Sequence, residues 1–308
     1  MATVLEPEAI AAPREQARAR YPDTTGFVER DAVRVFYEVY GSGEPTILLL
    51  PTWSIIHSRF WKMQIPDLAR RHRVITFDGR GNGRSDRPES AEAYAEAEFA
   101  ADAIAVMDAT GTERAVVMGL SMGAMRGLLL ATDHADRVAG IVFIGPSLAL
   151  QPRPREREAV NQFLQELDTD EGWAKYNAHY WRRDYRAFLE FFFSQVLSEA
   201  HSTKPTEDAI SWGLETDPET LILTELAPGI GDRDATLARC ARVTCPVLVI
   251  HGRDDRISQH SRGEELARAT RGRLVTIDGG GHMPNARDPV KVNLVLREFI
   301  AGLRRGAR

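Results

Sequence analysis

The sequence predicts an α/β fold in which a mostly parallel sheet of about eight strands carries helices on both faces. The first observation is that short, wholly apolar runs alternate with helical stretches from residue 47 onward, as in a parallel sheet buried on both faces. The second is that one segment, from about residue 146 to 239, lacks such runs and is rich in aromatic residues. With 308 residues, 43% of them hydrophobic, the chain can build a sizeable core around such a sheet.

The strand pattern begins with a predicted hairpin. Residues 27–30 and 33–40 are strand-like and flank Asp31 and Ala32, which we assign to the turn. Partial alternation of apolar and polar residues in the second run favours a half-buried antiparallel strand at one edge of the sheet. Six later runs are apolar apart from Thr76 and Thr276 and predict buried parallel strands, at residues 47–50, 74–77, 115–118, 141–144, 247–250 and 274–277.

Helices are predicted between most of the buried strands, at about residues 58–71, 91–109, 122–133, 259–269 and 289–303. The last of them has a clear start, because Asp288 supplies a capping oxygen and Pro289 fits the first turn of a helix. The repeated order of strand and helix is what predicts the parallel sheet.

The domain organisation follows from the interruption of this pattern. Residues 1–20 predict a loosely ordered arm, and residues 21–146 and 240–308 predict the α/β core. Residues 147–239 predict a helical cap inserted into that core, and most of its aromatic side chains are expected to pack in the cap's own interior. An insertion at this point would cover the carboxyl ends of the strands, where open α/β sheets bind ligands.

Composition argues against several classes of function. The formal net charge is −5 and the arginines are interspersed with acidic residues, so we expect no nucleic-acid partner. We expect no membrane partner, because no apolar run approaches the roughly 18 residues of a membrane span. The first twenty residues contain Glu6, Glu8 and Glu15 and no apolar core run, so they do not resemble a secretory signal. The two cysteines lack zinc-site spacing. These observations predict a cytoplasmic protein without a metal or cofactor, and the apolar face of the cap allows a homodimer.

The motif Gly119-Leu120-Ser121-Met122-Gly123 lies between a predicted buried strand and a predicted helix. A nucleophile must protrude from the end of the sheet, so the chain has to reverse sharply on both sides of it. Only glycine lets neighbouring backbone atoms approach that closely. The motif therefore predicts Ser121 as a nucleophile.

A serine nucleophile needs a base, and the base needs a partner that fixes its tautomer. An acidic loop with Asp254 and Asp255 follows the strand at 247–250, and His282 lies in a glycine-rich loop after the strand at 274–277. The chain order is serine, aspartate, histidine, the order of α/β-hydrolases. From about residue 27 to 303 the chain resembles the α/β-hydrolase superfamily, in the branch of Ser-His-Asp hydrolases with a helical cap.

The resemblance implies roles for individual residues. Ser121 matches the nucleophile and His282 the base, while Gly252-Arg253-Asp254-Asp255 matches a Gly-x-x-Asp pattern that favours Asp255 over Asp254 as the acid. The backbone N–H groups of Met122 and Trp53 match the two oxyanion-hole donors. The loop departs from its relatives, because Pro51-Thr52-Trp53 stands where a His-Gly pair is usual.

The substrate pocket is predicted from the same loop. We expect Trp53 to wall it and His57 to lie near it, because both follow the strand at 47–50. The remaining histidines are expected at the surface, apart from His251, which ends a strand and is expected to be structural. The Gly-x-Gly stretch at 78–85 is interpreted as a turn, since no helix opens directly from it as a dinucleotide site requires.

The predicted function is hydrolysis of a carboxylic ester or lactone through an acyl-enzyme intermediate, with a small-molecule substrate and no cofactor. A carbon–carbon bond hydrolase is one alternative, although Met283 follows His282 where those proteins often have tryptophan. An acyltransferase or perhydrolase on the same triad is another. A small-molecule receptor that has kept the hydrolase scaffold is the alternative that is not an enzyme.

Overall fold

A nine-stranded sheet forms the centre of the protein in the computed structural model, which describes residues 3–5, 18–152, 157, 161–201 and 203–306. The strands are β1 (Thr3–Leu5), β2 (Thr24–Arg30), β3 (Val33–Tyr40), β4 (Ile47–Leu49), β5 (Val74–Phe77), β6 (Ala115–Leu120), β7 (Val138–Ile144), β8 (Val247–Gly252) and β9 (Arg273–Ile277). Their order across the sheet is β1-β2-β3-β5-β4-β6-β7-β8-β9.

The strand directions confirm the predicted architecture. From β5 to β9 all neighbouring strands are parallel, whereas β1, β2 and β3 form an antiparallel edge. The β2–β3 hairpin turns at Asp31 and Ala32, whose φ angles of 52° and 60° are both left-handed, as in the turns that suit the twist of a hairpin. β1 is a ninth strand within the predicted arm; most of that arm lies outside the described residues.

Eleven helices are present in the described part of the chain: α1 (Ile65–Leu68), α2 (Glu96–Ala109), α3 (Gly123–Asp133), α4 (Ala178–Arg183), α5 (Tyr185–Val196), α6 (Lys204–Gly213), α7 (Pro218–Leu226), α8 (Arg233–Arg242), α9 (His260–Thr270), α10 (Pro284–Arg287) and α11 (Pro289–Gly306). Across the same residues, none combines the length and hydropathy that a membrane crossing requires.

Two helix predictions differ from the structure. Over residues 91–109, a 3₁₀ turn at Glu92–Tyr94 precedes α2, and Ala95 between them has a non-helical ψ of 144°. Residues 58–71 do not form a single helix but a 3₁₀ turn at Ser58–Trp61 followed by the four-residue α1. Pro66 lies in the first turn of α1, and proline both lacks an N–H and disfavours helical geometry in the residue before it. A continuous helix therefore cannot pass through this point.

The central strands β4, β6 and β7 are apolar because both faces of the sheet are covered. The run at 274–277 predicts a buried strand, but β9 lies at the edge of the sheet and is only partly buried. In β6, Val116 and Met118 belong to one hydrophobic cluster, while Ala115 and Val117 belong to the cluster on the other face. Successive side chains of a strand point to opposite faces, so both clusters require apolar residues. This packing holds the carboxyl end of β6 in a fixed position.

Helices α4–α7 lie between β7 and β8 in the chain, where the sequence predicts a cap. Their aromatic side chains pack together: Trp181 and Phe188 are fully buried with ring centroids 4.5 Å apart. Helix α8 instead packs against α3 and α9, and the predicted boundary between residues 239 and 240 falls inside it. The division into core and cap domains stays a prediction.

Candidate active site

Ser121 lies at a sharp reversal of the chain between β6 and α3. Its φ angle of +54° is left-handed, a conformation that residues other than glycine rarely adopt. A Cβ atom on Gly119 would overlap the carbonyl oxygen of Gly123, and one on Gly123 would lie 2.9 Å from the carbonyl oxygen of Pro51. The two glycines therefore permit the turn that exposes the Ser121 hydroxyl.

The structure brings together the three residues predicted as a triad. Ser121 Oγ lies 2.8 Å from His282 Nε2, and His282 Nδ1 lies 2.8 Å from Asp255 Oδ2. Ser121 follows β6, Asp255 follows β8 and His282 follows β9, so all three come from loops at the carboxyl ends of parallel strands. With Nδ1–H donating to Asp255, the lone pair on Nε2 is available to take the proton of Ser121.

The Asp255 carboxylate is buried and fully hydrogen-bonded. Oδ1 accepts from the N–H groups of Ile257 (2.7 Å) and Ser258 (2.8 Å), while Oδ2 contacts both His282 Nδ1 and His251 Nε2, the latter at 3.0 Å. Burial alone would raise the pKa of Asp255, but the charge of His282 and the hydrogen bonds of His251 and His282 outweigh it. The pKa of Asp255 is held well below its usual range, so the group is ionised at neutral pH.

Asp254, the alternative acid, is exposed to solvent. Its backbone N–H donates to the carbonyl of Gly280 at 2.9 Å, while its neighbour Asp255 holds the histidine. The geometry therefore favours Asp255 as the acid.

His251 contacts the acid as well. Its ring is fully buried at the end of β8, and Nε2 lies 2.9 Å from the carbonyl oxygen of Ser258 and 3.0 Å from Asp255 Oδ2. Both partners are acceptors, so Nε2 carries a proton. The sequence predicts a structural role for this residue; the contact with Asp255 could have been suspected only from its spacing of four residues.

A cavity of about 450 Å³ adjoins the nucleophile. Ser121, Met122 and Trp53 all line it, so the residues of the two predicted oxyanion donors border the same space as Ser121. Its apolar walls are Met125, Leu148, Tyr176, Phe192 and Ile257, and its charged lining residues are Glu96, Arg157, Glu225 and Arg262. The volume and the largely apolar walls suit a small organic substrate.

Ser147 places a second hydroxyl beside the nucleophile. Its Oγ lies 3.3 Å from Ser121 Oγ, and its backbone N–H donates to the Ser121 carbonyl at 3.1 Å. Ser147 belongs to the loop after β7 and carries no sequence motif, so sequence reasoning had no signal for it.

Trp53 joins the loop after β4 to the cap. Its indole N–H donates to Thr224 Oγ1 in α7 at 2.8 Å, and its ring stacks on Tyr176 with centroids 5.7 Å apart. The ring is 5% exposed. Trp53 thus walls the cavity, as the sequence predicts.

His57 does not line the cavity that contains Ser121. The ring is fully buried, with Nε2 3.3 Å from Glu215 Oε1 and an edge-on contact with Trp212 at 5.7 Å. Its Nδ1 accepts the N–H of Arg59 at 3.4 Å at the start of the 3₁₀ turn. The predicted pocket role of His57 is therefore replaced by contacts between this turn and the residues around Glu215.

A separate cavity of about 340 Å³ lies between α6 and α10. It is lined by Trp212 and Met283 among others, but not by Ser121, Asp255 or His282. We therefore assign the candidate active site to the cavity beside Ser121.

Comparison with known proteins identifies the family of this chain. A family model described as alpha/beta hydrolase fold matches residues 45–289. The chain belongs to the α/β-hydrolase family. This membership confirms the resemblance deduced from the three motifs.

The chain is also similar to individual relatives and solved structures. A Caulobacter vibrioides protein provisionally named carbamate hydrolase RutD is 30% identical over 273 residues, which cover 86% of this α/β-hydrolase and 95% of the relative. A solved structure described as Est816, an N-acyl homoserine lactone degrading enzyme, is 26% identical with a TM-score of 0.71, covering 89% of this chain and 99% of its own. An esterase from Exiguobacterium antarcticum has a TM-score of 0.75 over 88% and 97% of the two chains, and at 20% identity it supports the fold alone. Family and neighbours together support a hydrolase enzyme.

Within the described ranges, no group of three or more histidine, cysteine or acidic side chains is arranged to hold a metal ion.

Proposed function

We propose that this α/β-hydrolase is a serine hydrolase that cleaves a carboxylic ester or lactone through an acyl-enzyme intermediate. The observation that carries the proposal is the chain of contacts from Ser121 Oγ through His282 to Asp255, with both distances 2.8 Å. A chain of this kind, beside a cavity of about 450 Å³, suits nucleophilic attack on a bound carbonyl group.

In the first half of the reaction, Ser121 Oγ attacks the carbonyl carbon while His282 Nε2 takes the hydroxyl proton. Asp255 holds the imidazole and stabilises its cationic form. The carbonyl oxygen becomes an oxyanion, which the N–H groups of Met122 and Trp53 would stabilise. As the oxyanion collapses, the bond to the leaving oxygen breaks and His282 donates its proton to that oxygen, leaving Ser121 acylated.

In the second half, a water molecule attacks the acyl carbon while His282 Nε2 takes a proton from it. The second tetrahedral intermediate uses the same two N–H groups. Its collapse breaks the bond to Ser121 Oγ, and His282 returns the proton to the serine. The product is a free acid, and the enzyme is restored.

The similarity to a lactone-degrading enzyme at 26% identity supports lactones as well as open esters. In a lactone, the leaving oxygen stays attached to the acyl group, so ring opening releases nothing until deacylation. The apolar walls formed by Met125, Leu148 and Phe192 would pack against the hydrocarbon part of either substrate.

A carbamate is the second candidate substrate. The observation that favours it is the relative provisionally named carbamate hydrolase, at 30% identity over 86% of this chain. A carbamate presents the same carbonyl to Ser121 and the same oxyanion to Met122 and Trp53, so one site could act on either class.

Replacing Ser121 with alanine tests the proposal. Because the nucleophile acts as a unit with its base, its loss typically lowers kcat by about 10⁶-fold. We expect Ser121→Ala to abolish hydrolysis of p-nitrophenyl acetate while leaving the thermal unfolding midpoint nearly unchanged. Ser194→Ala, at an exposed position on α5, is the matched control and should keep wild-type turnover.

The substrate class is tested with an ester and a carbamate that share one leaving group, and with lactones. Wild-type enzyme is assayed with p-nitrophenyl acetate, a p-nitrophenyl N-alkylcarbamate and a panel of lactones of increasing ring and chain size. We expect faster turnover per active site on the ester and lactones, and dependence of every rate on Ser121. Turnover of the carbamate alone would favour the second candidate, and turnover that survives in Ser121→Ala would refute both.

A further inference from the structure

A buried cation lies beneath the loop that carries Trp53. Arg126 is in α3, one turn after the nucleophile, and is 1% exposed. Its Nη1 donates to the carbonyl oxygens of Pro51 (3.0 Å) and Thr52 (2.6 Å). The charge is compensated by Glu96, with Nε–H donating to Oε2 at 2.9 Å and Nη2–H to Oε1 at 3.4 Å. The guanidinium therefore ties the nucleophile helix to the loop after β4.

The Thr52 carbonyl belongs to the same peptide unit as the Trp53 N–H. A peptide unit is planar and trans, so its C=O and N–H bonds point in opposite directions. When Arg126 holds the Thr52 oxygen on one side of the loop, the Trp53 N–H is directed to the other side. Trp53 lines the cavity that contains Ser121.

The second oxyanion donor is fixed in a parallel way. The Ser121 carbonyl, in the same peptide unit as the Met122 N–H, accepts from the N–H groups of Ala124 (3.0 Å) and Ser147 (3.1 Å). Backbone hydrogen bonds at the turn between β6 and α3 therefore fix the plane of the Ser121–Met122 peptide. For Trp53, the side chain of Arg126 holds the carbonyl of the peptide unit instead, in a loop that lacks the usual His-Gly pair.

We propose that Arg126 is a positioning residue for the oxyanion hole, acting by orienting the Thr52–Trp53 peptide. The inference rests on the proposed serine hydrolase function and adds a specific requirement to it. An oxyanion donor acts in the transition state and not in substrate binding, so its misorientation lowers kcat and leaves KM nearly unchanged. The loss of one oxyanion donor typically lowers kcat by about 10²- to 10³-fold, and misorientation is expected to approach the lower value.

The test compares Arg126→Met/Glu96→Gln with wild type. The double variant removes both buried charges, so no carboxylate is left without its partner. Glu96 also lines the cavity, but Glu96→Gln keeps the size of its side chain. We therefore expect kcat for p-nitrophenyl acetate to fall by about 10- to 100-fold with KM changed by less than about twofold. The Ki of a trifluoromethyl ketone, whose tetrahedral adduct with Ser121 carries an oxyanion, should rise by the same factor as kcat/KM falls.

A second buried arginine–carboxylate pair provides a control for the loss of a buried ion pair. Arg80 and Asp102 are 2% and 1% exposed and form a two-pronged ion pair at 2.6 and 2.8 Å. Arg80→Met/Asp102→Asn removes a buried ion pair whose side chains do not bond the loop after β4, and it keeps the Arg80 carbonyl that accepts from Ser54 Oγ. It should lower the unfolding midpoint but leave kcat and the inhibitor Ki close to wild type.

Arg126→Lys provides a second measurement, because it keeps the buried charge and should fold even if the double variant does not. A single ammonium cannot reproduce the fork that holds both Glu96 and the two carbonyls. We expect a smaller fall in kcat than in the double variant, matched by the rise in inhibitor Ki at unchanged KM.

Two results would overturn the role of Arg126: unchanged kcat and Ki in the folded double variant, or a fall in kcat of Arg126→Lys without a matching rise in Ki. Both are distinguishable from failure of the proposed function, which would appear as turnover retained in Ser121→Ala.

Discussion

At the scale of single residues, the acid of the triad owes its properties to the number of its contacts. A carboxylate offers about four acceptor positions, and Asp255 fills them with the N–H groups of Ile257 and Ser258 and the rings of His282 and His251. These bonds fix both the orientation and the ionised state of the group. His282 is held in turn with Nε2 toward Ser121.

Two neighbouring aspartates provide a matched comparison. Asp255→Asn keeps the size of the side chain but can present an N–H to His282, which favours the wrong tautomer; the corresponding change in serine proteases lowers kcat by about 10⁴-fold. We expect a loss of this order for Asp255→Asn, and wild-type kcat/KM for Asp254→Asn because Asp254 is exposed. Steady-state assays of both variants check this, and equal effects at the two positions would contradict the assignment.

The sequence was sufficient for the residues that lie in local motifs. Ser121, Asp255 and His282 each stand at a fixed distance from glycines that end or follow a strand, so their spacing predicted them. Ser147 and Arg126 could not be predicted, because their contacts reach segments distant in the chain. His57 was misplaced because its loop position is local, whereas its contact with Glu215 is not.

At the scale of elements, the close approach of β6, α3 and the loop after β4 determines the site. Gly119 allows the chain to reverse, and Gly123 allows the start of α3 to approach the carbonyl of Pro51. The same helix carries Arg126, which holds that carbonyl and the next one. A single helix therefore contacts both the proposed nucleophile and the loop of the proposed oxyanion donor Trp53.

Alanine substitutions at Gly119 and at Gly302 should have opposite effects on the free energy of unfolding. A Cβ atom at Gly119 would overlap backbone, and such overpacking typically costs about 1–3 kcal/mol. Gly302 lies in α11 with open space around it, and alanine in an exposed helix is about 1 kcal/mol more favourable than glycine. We expect Gly119→Ala to lower the free energy of unfolding and Gly302→Ala to raise it, as measured by urea denaturation. Equal or reversed effects would contradict the steric explanation of the turn at Ser121.

The elements were predicted well where a periodic pattern is uninterrupted. The buried strands stand out as apolar runs because each is covered on both faces, which is a local property of the sequence. The helix predicted over residues 58–71 failed at Pro66, where a single residue outweighs the surrounding helical pattern. The three-residue β1 carries too few residues to show a pattern at all.

At the scale of the whole molecule, the cap and the core share one aromatic cluster. Trp53 of the core stacks on Tyr176 and contacts Phe192 edge-on, with ring centroids 5.7 and 5.3 Å apart, and bonds Thr224 in α7. The loop that carries the proposed oxyanion donor therefore packs against residues of the predicted cap, and these residues also line the cavity. Substitutions in the predicted cap are therefore expected to affect the candidate active site through their contacts with Trp53.

The two thiols report on the integrity of the core. Burial raises the pKa of Cys240 and of Cys245 to about 11 each, so at neutral pH almost none of either is the reactive thiolate. We expect iodoacetamide at pH 7.5 to leave both cysteines unmodified in folded protein and to alkylate both in urea, as read by intact-mass spectrometry. Rapid alkylation of the folded protein would contradict the packing around α8 and the start of β8.

The overall architecture was predictable because alternating buried strands and helices have few ways to pack. The order β5-β4-β6 across the sheet and the contacts between cap and core were not, since they depend on pairings between distant segments. The substrate is the least predictable feature, because it depends on how residues from several loops together shape one cavity.

The central claim is that Ser121 forms a covalent acyl intermediate, and rapid-quench peptide mass spectrometry tests it most directly. Wild-type enzyme is mixed with p-nitrophenyl acetate, quenched in acid within the first turnover and digested. The account predicts a transient acetyl group on the peptide that contains Ser121, formed with a burst of p-nitrophenol. Turnover without acetylation of Ser121 at any time, or acetylation of another residue at the rate of the burst, would contradict it.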